Sequence, residues 1–598
     1  MMWTRTASEY QTLRPERRRI PMTMRKISKT FGVITTSALL SAGLAACGTN
    51  ATSPPAAVSK AGHITKGGTI VDALGPLISI NWYNPLRPNA DNSLYDAWAA
   101  SLMYKGLFHI ASNGTIDYAR SIASSIHWNK TGTVYTITMN KKWHWSDGTP
   151  VTAQDVLFTW HLIKAASSPN APAPWPYSGA GSGGIPTLIR SVTILNSHAF
   201  QVTLTQPVNQ IWFEYNGLAD LLPLPAQSRN QYPNNVNQEL TYLANNADNV
   251  SFFHVVDGPF RIVNAVQNNS WTFVPNIHYD GHKPYINKLI LAYETSETSE
   301  VNGLKTGTIQ VGYLPLSMYS IRQQLPQDKL YTAYTYSIAR NPLNFRSPQV
   351  GSILRQLPVR QALQMGIDQP AIINTLYHGM GVLGTGPVPL HPPTFLAPQL
   401  TQPIYPFNIN AGKALLEKNG WHLVNGVMTN QQGQKLVFNM QFAAGSNTTL
   451  DMAQLMQQDW AKEGIKVSLT PVEFVQMLQY HAQPSKWEIQ TGLNWSYGGS
   501  YPTGGGMYES GGGYNFYGYS NSEMNKLIAA THQPQPSPQA AQQALDAYQV
   551  FAAKQLPNLW MPMPEDLGEV AQNVHGVKES ANNFTNAISP QYWWISPS

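Results

Sequence analysis

A single cysteine, Cys47, in a chain of 598 residues rules out any internal disulfide. The fold must therefore be held by buried apolar surface and hydrogen bonds. Apolar residues make up 42% of the chain, ample for large cores. A prior of about 100–200 residues per domain predicts roughly three domains.

The same cysteine divides two kinds of sequence. Before it, Met24-Arg25-Lys26 with Lys29 forms a positive segment, and Phe31 to Ala42 is mostly apolar. That run is too short for a membrane-spanning helix, which needs about 20 residues, and has the layout of an export signal. Leu44-Ala45-Ala46-Cys47-Gly48 resembles a bacterial lipobox, in which the cysteine is lipidated and becomes the first mature residue. The plainer alternative is a free thiol in an ordinary signal. Residues 1–46 are thus expected to be a signal peptide, with Met24 an alternative start. Residues 47–65, rich in Ala, Ser and Pro, are expected to be a flexible tether.

The formal charge of +6 lies in the leader: residues 1–46 hold eight basic residues against two acids, and the remainder sums to zero. A nucleic-acid partner needs a standing basic surface, which the body has no net excess to build. Charged residues are only 12% of the chain, against a usual ~25%. Few titratable groups suit a protein facing acid medium, where protonated carboxylates leave unbalanced positive charge.

Val134 to Met139 alternates with period two, which predicts a half-buried strand with Tyr135, Ile137 and Met139 inward. Asp147-Gly148 marks a turn, and Thr152 with Asp155 three residues on predicts a helix start. Val156, Trp160 and Ile163 would form that helix's buried face. Helices are also predicted for 359–367, 370–376, 411–419, 450–464 and 540–556, and strands after Gly68 and over 465–469. Residues 172–186 and the glycine-rich 498–513 read as loops. Alternating strands and helices with no internal repeat predict α/β architecture.

Several separated blocks resemble the bacterial extracellular solute-binding proteins of family 5, the peptide-, dipeptide- and nickel-binding group. The clearest runs from Trp143 through Asp147-Gly148-Thr149-Pro150-Val151-Thr152-Ala153-Gln154-Asp155-Val156. Asp257-Gly258-Pro259-Phe260, Asn276 to Pro284, Leu304 to Gln310, Val359 to Gln369 and Ala411 to Trp421 follow in the family's order. The resemblance implies a two-lobed clamshell of the type II periplasmic-binding class with an additional α/β domain. Lobe I would comprise 66–110, 256–338 and 559–598, the extra domain 111–255, and lobe II 339–558. The chain is expected to be a monomer, with no cofactor and no metal. Such a protein would close on a small peptide and deliver it to an ABC permease from a lipid-anchored position outside the cell membrane.

Many peptide binders of this family pair the ligand ammonium with an Asp three residues after a Trp. Here Trp495 and Pro502 keep the spacing and Gly498 holds the Asp position. Either another acid supplies the charge or the ligand has no free N-terminus. Trp495 and Tyr497 are the leading site candidates, against a core-packing role for Trp495. Asn81, Trp82 and Tyr83 follow the first strand, where the family lines its cleft. Tyr336 and Asn344 are further candidates on the strand entering lobe II. Tyr514 and Asn515 would close over the ligand or belong to a surface loop. An oligosaccharide is the alternative ligand, since aromatic platforms stack on sugars without requiring charge.

Enzyme readings find little support. Gly179 to Gly184 matches G-x-G-x-x-G but lies between prolines rather than between a strand and a helix. His278 and His282 have zinc-like spacing on a stretch that reads as a turn. A lipid-anchored hydrolase with carboxylates that meet only in space remains the alternative of another class.

Overall fold

The segment after Gly68 forms a strand, Thr69–Leu74, in the middle of a seven-stranded sheet. A computed structural model describes residues 64–75 and 79–597. The signal-like segment, Cys47 and nearly all of the tether lie outside the described residues. Across the sheet the order is Asp328–Ala333, Asp566–Ala571, Val311–Tyr313, Thr69–Leu74, Lys288–Tyr293, Ser270–Pro275 and Phe260–Val266. Thr69–Leu74 runs parallel to both neighbours, and the outer pairs are antiparallel.

A four-stranded antiparallel sheet draws on Ala123–Trp128, Val134–Met139, Ala199–Leu204 and Ile189–Asn196. Tyr135, Ile137 and Met139 are buried, as their alternation predicts. The helix Ala153–Ala166 begins with the predicted capping box of Thr152 and Asp155, and Val156, Trp160 and Ile163 are buried. Asp155 does more than cap. It accepts hydrogen bonds from the Thr152 amide at 2.8 Å, the Ala226 amide at 3.0 Å and the Trp145 indole at 3.3 Å. One buried carboxyl thus ties the turn, the helix and a distant loop together.

The other blocks also organise turns. A Cβ on Gly258 would stand 2.5 Å from the Leu102 carbonyl oxygen, so only glycine permits this approach. The Asn276 side chain donates to the Gly258 carbonyl at 3.0 Å and accepts from the His278 amide at 3.0 Å. His278 lies in a turn and His282 stacks on Tyr592.

A three-stranded parallel sheet joins Lys466–Val472, Val437–Ala443 and Ile489–Thr491. The helices Leu357–Met365, Ile409–Lys418, Asn447–Lys462 and Pro538–Gln555 fall within a few residues of the predicted ranges. Pro370 lies in a short helix, Gln369–Ala371, that loosens into a π turn over Ile372–Leu376. The glycine-rich segment differs more: it contains a helical turn, Gly505–Tyr508, and buries Tyr501 and Tyr508. Its glycines let the backbone lie close to other elements, and the tyrosines then fill the space beneath.

Two connections link the seven-stranded sheet to the strands beyond it. Ser337–Pro342 lies between Leu493–Ser496 and Asn558–Met561, antiparallel to both. One chain passage runs from Ala333 to Ser337, the other from Met561 to Asp566. They run side by side, because the strands on both sides of them pair with each other. Two adjacent extended connections can change φ and ψ together, the geometry of a hinge.

Candidate functional site

Strand pairing beside the hinge sets the site. Ile338 sits opposite Trp495 and Arg340 opposite Leu493, and the Tyr497 amide donates to the Tyr336 carbonyl at 3.0 Å. Period-two alternation therefore puts Tyr336, Ile338 and Arg340 on one face together with Tyr497, Trp495 and Leu493. The Tyr336 and Tyr497 rings lie 5.2 Å apart, and Tyr336 stacks on Phe584 at 4.4 Å. Tyr497 is buried and its hydroxyl donates to the Pro387 carbonyl.

Trp495 is half-buried, meets the edge of Tyr514 at 4.7 Å, and has a buried indole N–H with no acceptor. Tyr514 reaches out of the glycine-rich segment. Its hydroxyl donates to the Ser178 carbonyl at 3.0 Å and accepts from the Asn92 side chain at 3.4 Å. It therefore bridges to two loops that are remote in sequence. Nearby, burial raises the Asp220 carboxyl to about 7, against a hydrogen bond from Tyr177 and the charge of Arg87.

Gly498 is exposed with φ +56°, and a Cβ there would meet no heavy atom within 4 Å. Residue 498 therefore has room for a side chain.

The remaining candidates stand elsewhere. Asn81 is exposed, and its side chain donates to Asp91 at 2.8 Å. The Asn81 and Trp82 amides both donate to Asp96 at 2.9 Å, so the loop is moulded on that buried carboxyl, which burial raises to about 6. Trp82 packs edge-on against Trp175, and Tyr83 against Phe253, both buried. Asn344 donates to the Pro484 and Trp487 carbonyls at 2.8 Å and accepts from the Arg346 amide. Asn515 likewise braces its own loop through Glu509 and Tyr519. The structure thus gathers Trp495, Tyr497, Tyr336 and Tyr514. It leaves Trp82, Tyr83, Asn344 and Asn515 engaged in packing or loop bracing.

Sequence reasoning passed over three features here. Phe395 and Phe584 complete the aromatic block around Tyr336. Arg340 lies on the same face as Trp495. Asn209, Trp212 and Asn216 form a clamp on distant residues. Asn216 exchanges two hydrogen bonds with the Tyr501 backbone at 2.8 and 2.9 Å. The Asn209 amide donates to His532 O at 2.8 Å and its side chain to Thr531 O at 2.9 Å. Trp212 stacks on His532 at 3.9 Å. The alternation of Arg340 with Tyr336 along one strand was the one signal available.

Among the described residues no three His, Cys, Asp or Glu side chains converge as metal ligands, and no helix is long and apolar enough to cross a membrane.

An α/β body of several sheets, joined by paired crossovers with an aromatic cluster beside them, is a solute-binding clamshell, and the comparisons agree. The profile of the bacterial extracellular solute-binding proteins, family 5 Middle, matches residues 117–518. The chain belongs to this family. The oligopeptide-binding protein AppA of Bacillus subtilis is 23% identical over 563 residues, covering 92% of this chain and 96% of AppA. The AppA structure, in complex with a nonapeptide, superposes with TM-score 0.73 at 19% identity, over 89% of this chain and 100% of that one. The binding protein DppA of Helicobacter pylori, in complex with the peptide STSA, gives TM-score 0.72 at 18% identity, over 89% and 99%. The fold is thus the two-lobed α/β clamshell with an additional domain.

Proposed function

We propose that the protein is the substrate-binding component of an ABC importer. It captures a peptide between its lobes by hinge closure and presents the closed form to a membrane permease. The observation that carries this is the side-by-side pair of crossovers beside Trp495, with Tyr514 bridging to Asn92 and Ser178. In the proposed division, lobe I is 66–110, 256–338 and 559–598, the extra domain 111–255, and lobe II 339–558. The composition of the sheets supports it, and both lobe boundaries fall within the paired strands Ser337–Pro342 and Asn558–Met561, next to the two connections of the hinge. Lipidation of Cys47 would hold the clamshell near the permease, with 47–65 as the tether. The ligand's backbone would be held by main-chain hydrogen bonds, as in strand addition.

An oligosaccharide is the second reading, favoured by the open space at Gly498 and the rings of Trp495 and Tyr514. Thermal unfolding of residues 48–598, stripped of ligand by partial unfolding, separates the two. Two- to six-residue peptides, free or N-acetylated, form one panel and neutral oligosaccharides the other. Ligand at about 100 times its dissociation constant stabilises by ~2.7 kcal/mol. Peptides raising the midpoint support the proposal. A response to sugars alone refutes the peptide assignment and leaves the clamshell standing.

A further inference from the structure

Three arginines are buried to the same degree: Arg229 is 3% exposed, Arg340 and Arg360 4%. Their surroundings differ. Arg360 donates to the carbonyls of Leu354, Arg355 and Gln555 at 2.7–3.1 Å. Arg229 donates to the Tyr104 hydroxyl at 2.5 Å and lies 3.9 and 4.5 Å from the Phe252 and Phe253 rings, although its Nη1 is buried without an acceptor. Arg340 has only a 3.5 Å contact from Nη1 to the Asn558 side chain. Its Nε is sealed from solvent without an acceptor. The rings of Trp495, Phe516 and Tyr517 stand 5.8–5.9 Å away, near the outer limit of a useful cation–π contact. Among the described residues no carboxylate pairs with any of the three, and Arg340 alone has neither a short hydrogen bond nor a close ring to compensate.

A buried guanidinium without a counter-charge is costly, and buried charges are ordinarily paired. The missing partner must therefore come from outside the chain or be absent at a penalty. Arg340 shares its face with Trp495, whose indole N–H also lacks an acceptor. Residues at such diagonal positions across a strand pair lie about 7–8 Å apart, a separation one short ligand segment can span. Tyr514 covers Trp495 and is tied to Asn92 and Ser178, so these donors are enclosed when that bridge is made. The two unsatisfied groups are both donors, and at Gly498 the acid that would meet an ammonium is replaced by open space.

We infer that Arg340 anchors a carboxylate of the bound ligand, with the Trp495 indole donating to an adjacent carbonyl or carboxylate oxygen, so that this clamshell grips its ligand by an anionic end. The guanidinium fork matches a carboxylate bidentately. This rests on the proposed capture of a peptide in the cleft and specifies which end of it is held.

The test compares peptide pools identical except for a free or amidated C-terminus, by calorimetry on residues 48–598 of the wild type, Arg340→Met and Arg340→Lys. Met keeps the apolar stem and removes the charge. Wild type is expected to bind the free acids at least tenfold more tightly than the amides. Arg340→Met should bind both forms alike, and Arg340→Lys should restore part of the preference. The ligand-free midpoint of Arg340→Met should match or exceed the wild type's, because an uncompensated charge has been removed. Equal binding of acids and amides by the wild type overturns the inference and leaves peptide capture standing. Failure of every peptide while sugars bind overturns both. A steep fall in the ligand-free midpoint of Arg340→Met, with an unchanged acid-to-amide ratio, makes Arg340 structural and also overturns the inference.

Discussion

Gly498 combines a left-handed φ of +56° with empty space where a side chain would stand. Asp tolerates that backbone region better than most residues, so Gly498→Asp can supply a carboxylate without displacing a neighbour. A charge-assisted hydrogen bond contributes roughly 1.5–3 kcal/mol, less about 1 kcal/mol for the strained backbone. The variant is expected to bind peptides with free amino termini about tenfold more tightly than wild type, with no gain for acetylated ones. Titration calorimetry on both sets checks this, and an unchanged ratio would place the amino end away from residue 498. Asp155 makes a stability test at the same scale. Asp155→Ala removes a helix cap worth about 1 kcal/mol and leaves the Trp145 and Ala226 N–H groups unpaired. A loss of roughly 3 kcal/mol is expected in urea unfolding.

At the scale of elements, the helix Gln210–Asn216 meets the helix Ser522–His532 through Asn209 and the Trp212–His532 stack, and the glycine-rich segment through Asn216 and the Tyr501 backbone. Burial holds His532 neutral, lowering it to about 4. In the proposed division these helices belong to the extra domain and lobe II, so their contact would hold the closed form together. Removing the three side-chain hydrogen bonds across this contact, worth about 0.5–1.5 kcal/mol each, should shift the balance toward the open form. The double variant Asn209→Ala, Asn216→Ala is expected to release bound peptide about tenfold faster, by stopped-flow displacement, with a near-normal association rate. An unchanged release rate would show that the helix contact does not hold the closed state. These helices were not singled out in the sequence because Asn209 and Asn216 carry no pattern of their own. Their partners lie about 300 residues away.

Over the whole molecule, charge is scarce and buried carboxyls are often without cations. Burial raises Asp72 to about 8 and, with Asp459 nearby, Glu463 to about 9. It raises Glu214, Asp220, Asp257 and Glu569 to about 7. A carboxyl raised above its unfolded value adds stability that is complete below about pH 4 and lost as pH climbs through the folded value. His109, His481 and His532, lowered to about 4, act in the opposite sense, and only below about pH 6.5. Six carboxyls against three histidines leave the folded chain with more bound protons from pH 8 down to about pH 5. The thermal midpoint is therefore expected to be higher at pH 5.5 than at pH 8. A lower midpoint at pH 5.5 would contradict this balance and the reading of the low charge as suited to acid medium.

Much of the local structure was legible in the chain. The alternation at Tyr135, Ile137 and Met139, the Thr152–Asp155 cap and the glycine helix stops act over a few residues, where backbone sterics and hydrogen bonding decide the outcome. The ordered family blocks carried the clamshell, because turns such as that at Gly258 specify how strands connect. The site was legible only in part. Trp495 and Gly498 stood out by their spacing, whereas Trp82 and Tyr83 look the same in sequence as rings that face a cleft. Whether a ring faces solvent or Phe253 depends on which segments meet after folding. The solitude of Arg340 is decided at that level too, since an unpaired charge is defined by every group packed around it. Burial and pairing are properties of long-range contacts, and in this chain only the tertiary structure supplies them.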